Sequence, residues 1–158
     1  MIVLITVISS PVISQEKISI YDTTLDGLQQ ISEAIELAKD QGKHTLIKVG
    51  YNQCPWCIKL DGFIKEDAEI DSLIKADYVF IKVNYSKENR NMAAMEFLEY
   101  PHRFGFPVMV VIDVKGKRIH TQNTLYLEKK KSYDRMRVIN FLKAWNSKAI
   151  SAESYKKF

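Results

Sequence analysis

The sequence predicts an α/β fold, a central mixed β-sheet flanked by helices on both faces. Apolar strand-type runs alternate with helical stripes along most of the chain. A run at 108–113 is followed by Lys115-Gly116-Lys117 and a short returning strand at 118–121, which adds an antiparallel member to a sheet that is otherwise joined through helices. With 158 residues, 46% of them hydrophobic and 27% charged, the chain is long enough for one domain with a real core. The formal net charge of +4 is spread along the chain, and the one dense run, Lys129-Lys130-Lys131, reads as a solvated loop, so no nucleic-acid partner is expected.

The first 14 residues differ in character from the rest. Residues 2–8 are nearly all apolar, and small residues and a Val-x-Ser site follow before Gln15, the pattern of a secretory signal peptide, although no Lys or Arg precedes the apolar run. Read as a signal, it places the mature protein outside the cytoplasm, periplasmic or secreted; an N-terminal strand is the other reading of the same residues. The domain then covers 15–158, with a loose tail after about 149.

Residues 17–21 read as a short strand or an extended entry, and Leu28, Ile31, Ile35 and Ala38 form a helical stripe that Asp26 or Thr24 can cap and Gly42 can end. The apolar run 45–51 is a central strand leading directly to Cys54. A helix follows, with Cys57, Leu60, Phe63 and Ile64 on one stripe, then further helical turns over 66–75 and a strand over 78–83. Residues 84–91 are loop-like and 92–97 form a short helix. The strand 108–113 comes after Phe106-Pro107, and a last helix over 133–148 uses Val138, Phe141, Leu142 and Trp145. Met92, Met95 and Trp145 are assigned to the core, and His44, His102 and His120 to the surface or to loops.

Both cysteines lie in Tyr51-Asn52-Gln53-Cys54-Pro55-Trp56-Cys57, at a strand-to-helix junction. If Cys54 caps the helix, Pro55 takes the first helical position, where its missing N–H costs nothing. The N–H groups of the first turn and the helix dipole then stabilise a thiolate at Cys54, as such sites lower a thiol from about 8.5 to roughly 3.5–7.5. Cys57, one turn further in, is the resolving thiol. A zinc site would need two more ligands, and the three histidines lack paired spacing. A structural staple over so short a loop would restrict the unfolded chain little. Two cysteines with no spare therefore point to thiol–disulfide exchange: Cys54 attacks a substrate disulfide, and Cys57 resolves the mixed disulfide.

The buried strand leading to YNQCPWC, the apolar strand 79–83 and the strand opened by Phe106-Pro107-Val108 resemble the thioredoxin superfamily over roughly residues 22–147, with closer similarity to exported thioredoxin-like proteins of the disulfide isomerase or reductase type. The resemblance implies a thioredoxin-like fold, a cis Pro107 packed beside the cysteines, and neighbouring backbone able to pair with an extended substrate. Trp56, Phe106, Pro107 and Tyr51 are then substrate-binding candidates, and Pro55 and Lys48 tune thiol acidity. The sequence departs from the family in three places. Gln53 replaces a usual Trp, Val108 a common Thr, and Lys48 stands where the family has a buried aspartate. Lys48 either favours the thiolate by its charge or snorkels out of the sheet edge. The long spacing from Cys57 to Pro107 leaves room for an inserted loop or helix between 84 and 102.

The expected activity is a thiol–disulfide oxidoreductase acting on protein disulfides or dithiols. It would be a monomer served by a separate redox partner, with no bound cofactor and no metal. The alternative is a redox-inactive client-binding module with Tyr51, Trp56 and Phe106 as its apolar surface.

Overall fold

The computed structural model describes residues 19–156, so the signal-peptide reading of 1–14 and the start of the domain at 15 lie outside the described residues. The elements run α1 (Gly27–Gln41), β1 (His44–Gly50), α2 (Pro55–Glu66), α3 (Ala68–Asp77), β2 (Tyr78–Asn84), α4 (Met92–Phe97), β3 (Val108–Ile112), β4 (Arg118–Asn123), β5 (Glu128–Lys129), β6 (Ser132–Tyr133) and α5 (Arg135–Ala144). Four strands form one sheet in the order β2-β1-β3-β4, with β1 parallel to β2 and antiparallel to β3. The predicted mixed sheet flanked by helices is therefore what forms.

β1 is central and buried at every position, because helices cover both faces of the sheet. Its alternation divides two cores. Leu46 joins residues of α2, α3 and α5, while Ile47 and Val49 join Ile31 of α1 and Ala94 and Met95 of α4. Asp26 caps α1 by accepting the N–H groups of Leu28 and Gln29, and Gly42 ends it at φ 64°, a left-handed conformation that favours glycine.

Several expectations are corrected. Of the two readings of 17–21, the strand does not form over the described residues 19–21; the N–H groups of Ile20 and Tyr21 both go to the side chain of Asn52, at 2.7 and 2.8 Å, instead of to a sheet edge. The apolar face of α1 is turned from the predicted stripe, with Ala34 buried and Leu28 exposed. Met92 is 49% exposed, since α4 turns Ala94 and Met95 inward in its place. His44 is buried in β1 with Nδ1 2.8 Å from the Trp145 carbonyl, and His120 of β4 stacks on Trp145 at 4.1 Å, so neither is a free surface residue. The last helix is shorter at both ends than 133–148: Ser132 and Tyr133 pair with β5, Asp134 supplies the cap, and Trp145 ends it. Among the described residues after 149, the chain makes a 3₁₀ turn, Ala152–Tyr155, with none of its residues buried. Between β2 and β3 lie α4 and a 3₁₀ turn, Pro101–Phe104.

Candidate active site

β1 delivers the chain to the end of the sheet where α2 starts. Cys54 has extended backbone angles, φ −80° and ψ 110°, and is the N-cap of α2, with Pro55 at the first helical position. Its Sγ accepts the backbone N–H of Cys57 at 3.1 Å. This is the capping geometry expected from the sequence, with sulfur in the place usually taken by an oxygen. The two cysteines are joined in a disulfide with Cα atoms 5.2 Å apart. Cys54 retains 4% exposure and Cys57 none.

The register of β1 with β3 pairs Val49 with Val108, which brings Pro107 level with Gly50 at the cysteine end of the sheet. The Phe106–Pro107 peptide bond is cis. Phe106 packs against the cluster formed by Tyr21, Cys54 and Cys57 and meets Tyr51 edge-to-face, ring centroids 5.6 Å apart. Tyr51 and Phe106, with Tyr85, form the aromatic wall of a groove of about 540 Å³ that also takes in Gln53, Lys87 and Arg90. Trp56 also packs against the cysteine cluster but does not line this groove. Its ring meets Tyr133 edge-to-face at 5.5 Å, with the Lys59 ammonium 4.2 Å from its centroid. Tyr51, Phe106 and Trp56 thus all pack against the cysteine cluster, but of the three only Tyr51 and Phe106 line the groove, and Trp56 instead meets Tyr133 and Lys59.

Lys48 does not snorkel. It is wholly buried, and its Nζ donates to Asp61 Oδ1 at 2.8 Å. The parallel register places Lys82 beside Lys48, and Lys82 also reaches Asp61 Oδ1 at 2.5 Å, while Lys65 reaches Oδ2 at 2.7 Å. Asp61, one turn after Cys57 on the buried face of α2, therefore serves three ammonium groups. Burial alone would raise its carboxyl, but those three partners hold it well below the usual carboxylate range. Burial pulls Lys48 down to about 8 against the pull of Asp61, and Lys82 and Lys65 push the same way. Sequence reasoning missed Asp61. The available signal was a charged residue inside the stripe Cys57, Leu60, Ile64, facing two lysines set in apolar strands.

Gly50 is required by close approach. A β-carbon there would stand 2.5 Å from both Cys57 Sγ and the Tyr21 hydroxyl oxygen. Gly50→Ala is therefore expected to cost about 1–3 kcal/mol through overpacking, measured as a lowered midpoint in denaturant melts of the oxidised protein. A variant as stable as the parent would mean that the gap is wider than the structure has it.

Among the described residues, no group of three or more His, Cys, Asp or Glu side chains gathers where it could hold a metal ion, and no helix is long and apolar enough to cross a membrane.

A central strand feeding a Cys-x-x-Cys pair into a helix start, with a proline-opened antiparallel strand beside it, defines a thioredoxin-fold thiol–disulfide oxidoreductase. The model of the family Thioredox_DsbH, described as "Protein of unknown function, DUF255", matches residues 10–155, and the chain belongs to that family. Solved structures share the fold. The disulphide isomerase from Xylella fastidiosa Temecula1 superposes with a TM-score of 0.70 at 24% identity, over 78% of this chain and 94% of that one. A structure described as "DsbH Oxidoreductase" gives 0.51 at 16% identity over 86% and 93%. A thioredoxin from Thermus thermophilus gives 0.50 at 20% identity over 71% and 80%. No curated protein matches the chain significantly.

Proposed function

We propose that this oxidoreductase exchanges disulfides with protein substrates outside the cytoplasm, Cys54 attacking and Cys57 resolving. The observation that carries this reading is the asymmetry of the pair. Cys54 Sγ caps α2, where an N–H and the helix dipole favour its thiolate, and it keeps some exposure, while Cys57 is enclosed. A substrate thiolate or disulfide therefore reaches Cys54 first, and Cys57 acts only within the protein.

Tyr51, Phe106 and Pro107 form the substrate side of the site, and the groove that Tyr51 and Phe106 line suits an extended segment with an apolar side chain near its cysteine. Trp56, packed against the same cysteine cluster, limits access to the pair. Pro55 leaves the first turn of α2 free to face the sulfur, and Lys48 tunes the pair from below through Asp61. The apolar start of the chain supports export, to be checked by fractionation and by N-terminal sequencing of the mature protein. The protein works as a monomer, with its electrons passed to or from a separate redox partner.

The direction of exchange is set by the potential of the pair, and an isomerase is the favoured reading, in line with the printed description of the Xylella structure. Equilibrium titration in defined thiol buffers, read by mass after alkylation, tests it. A value at roughly −180 mV or above supports isomerase or oxidase work, whereas roughly −270 mV makes the protein a reductase. A pair that never cycles removes the whole proposal.

A further inference from the structure

Tyr21 presents a buried polar atom without a partner. The residue is 1% exposed, yet its hydroxyl makes no hydrogen bond. Leaving a hydroxyl in that condition costs about 1–3 kcal/mol, and a buried unpaired donor in an otherwise well-bonded protein calls for an explanation.

Its position is built rather than incidental. The side-chain amide of Asn52, two residues before Cys54, accepts the Tyr21 N–H at 2.8 Å and donates to the Tyr21 carbonyl at 2.9 Å. That clamp ties the segment to the active-site loop and places the ring in one cluster with Cys54 and Cys57. The hydroxyl oxygen and Cys57 Sγ each lie 2.5 Å from the point where a β-carbon on Gly50 would stand, so they face each other across the gap that the glycine leaves, no further apart than twice that. Opposite the hydroxyl is a disulfide sulfur, which is neutral and a weak acceptor. A thiolate at the same place is a strong one.

We propose that the Tyr21 hydroxyl is the hydrogen-bond donor to the Cys57 sulfur in the reduced protein, holding the thiolate that is released when the Cys54–Cys57 bond opens. The inference rests on the reading of Cys57 as the enclosed member of the exchanging pair. When a dithiol reduces the protein, its thiolate bonds to Cys54 Sγ. The Cys54–Cys57 bond breaks, and its electron pair passes to Cys57 Sγ. The hydroxyl turns to that anion and keeps its proton. The second thiol of the dithiol, as its thiolate, then displaces Cys54 and leaves as a disulfide with the first. The dithiol is oxidised and the protein reduced, and the reverse sequence oxidises a substrate. The charged and titratable groups around this pair are Lys48 of β1, whose Nζ is 5.3 Å from the Tyr21 ring centroid, Asp61 of α2, and Tyr133 of β6. Burial first, and the Asp61 carboxylate second, push the Tyr21 hydroxyl far above its usual ionisation, so it stays a donor at working pH.

The test compares Tyr21→Phe with the parent by redox titration in glutathione buffers, with the ring Cζ resonance of 13C-labelled Tyr21 followed in the parent through the same titration. Because the donor stabilises only the reduced state, its loss should lower the equilibrium constant for reduction roughly tenfold, the size of one hydrogen bond to a charged sulfur, which is ~30 mV more negative for a two-electron couple. The Cζ resonance should move as the pair is reduced. A Tyr21→Phe potential equal to that of the parent, or a Cζ resonance that does not respond to reduction, overturns the proposal while leaving the exchange reaction in place. The NMR arm needs no variant to fold. If the parent pair itself does not cycle, both this inference and the proposed function fall.

Discussion

Cys57→Ser is expected to leave the protein covalently joined to its substrates. Cys54 would still open a substrate disulfide, since its thiolate depends on the α2 cap and not on Cys57's sulfur. The mixed disulfide would then persist, because no second thiol lies within reach: the sequence holds only these two cysteines. Cys54→Ser should instead abolish turnover and trap nothing, because Cys57 is wholly enclosed. Acid quench, alkylation and non-reducing gels of cells expressing each variant would read the difference. Trapped partners with Cys54→Ser and none with Cys57→Ser would reverse the assigned roles. Activity that survives both replacements would support the client-binding alternative.

The second large effect concerns the buried charges. Asp61→Asn should destabilise the protein by about 3–5 kcal/mol, because it leaves Lys48 as an uncompensated charge with no access to water. Lys48→Met should cost far less, since Asp61 retains Lys82 and Lys65 and an apolar side chain of similar length fills the space. The asymmetry between the two replacements is the prediction. Equal costs would mean that the pair contributes mainly through packing.

The same cluster gives stability a pH dependence in two windows. The Asp61 carboxyl is depressed in the folded state, so its contribution is complete above its usual value of 3.8 and is lost as pH falls below that. Lys48 is also depressed, from 10.5 to about 8, so above pH 8 the folded protein sheds a proton that the unfolded chain still holds. Stability should therefore rise with pH from about 8 upward. Above the ordinary tyrosine value of 10.0 the buried Tyr21, Tyr78 and Tyr133 hydroxyls act in the opposite sense, because the unfolded chain then loses protons that the folded one keeps. Denaturant melts across pH should show the rise between 8 and 10 in the parent and its absence in Lys48→Met.

The mixed sheet, the strand-to-helix placement of Cys54 and Cys57, the Pro55 position and the proline before β3 were all legible in the sequence. Each depends on local chemistry: continuous apolar runs make buried strands, proline is tolerated at the first helical position, and a cysteine just before it is a cap. Local pattern failed where the partner of a backbone or side-chain group came from far along the chain. Residues 19–21 have strand-like composition, but their N–H groups are taken by Asn52, 31 and 32 residues away. Lys48 could be read as a sheet-edge lysine because its counter-ion, Asp61, lies 13 residues away on another element.

By itself, then, the sequence determined the class of fold, the redox pair and the order in which its two sulfurs are exposed, because these follow from periodicity and from helix-start geometry. Only the tertiary structure decided what surrounds the enclosed sulfur. The register of β1 on β2 aligns Lys48 with Lys82 beneath α2, and the packing of Tyr21 over Gly50 sets a hydroxyl beside Cys57. Both arrangements join residues distant in the chain across a low-dielectric interior, where a single unpaired charge or donor is worth several hydrogen bonds made in water. No pattern of neighbouring residues encodes which distant group will fill that place.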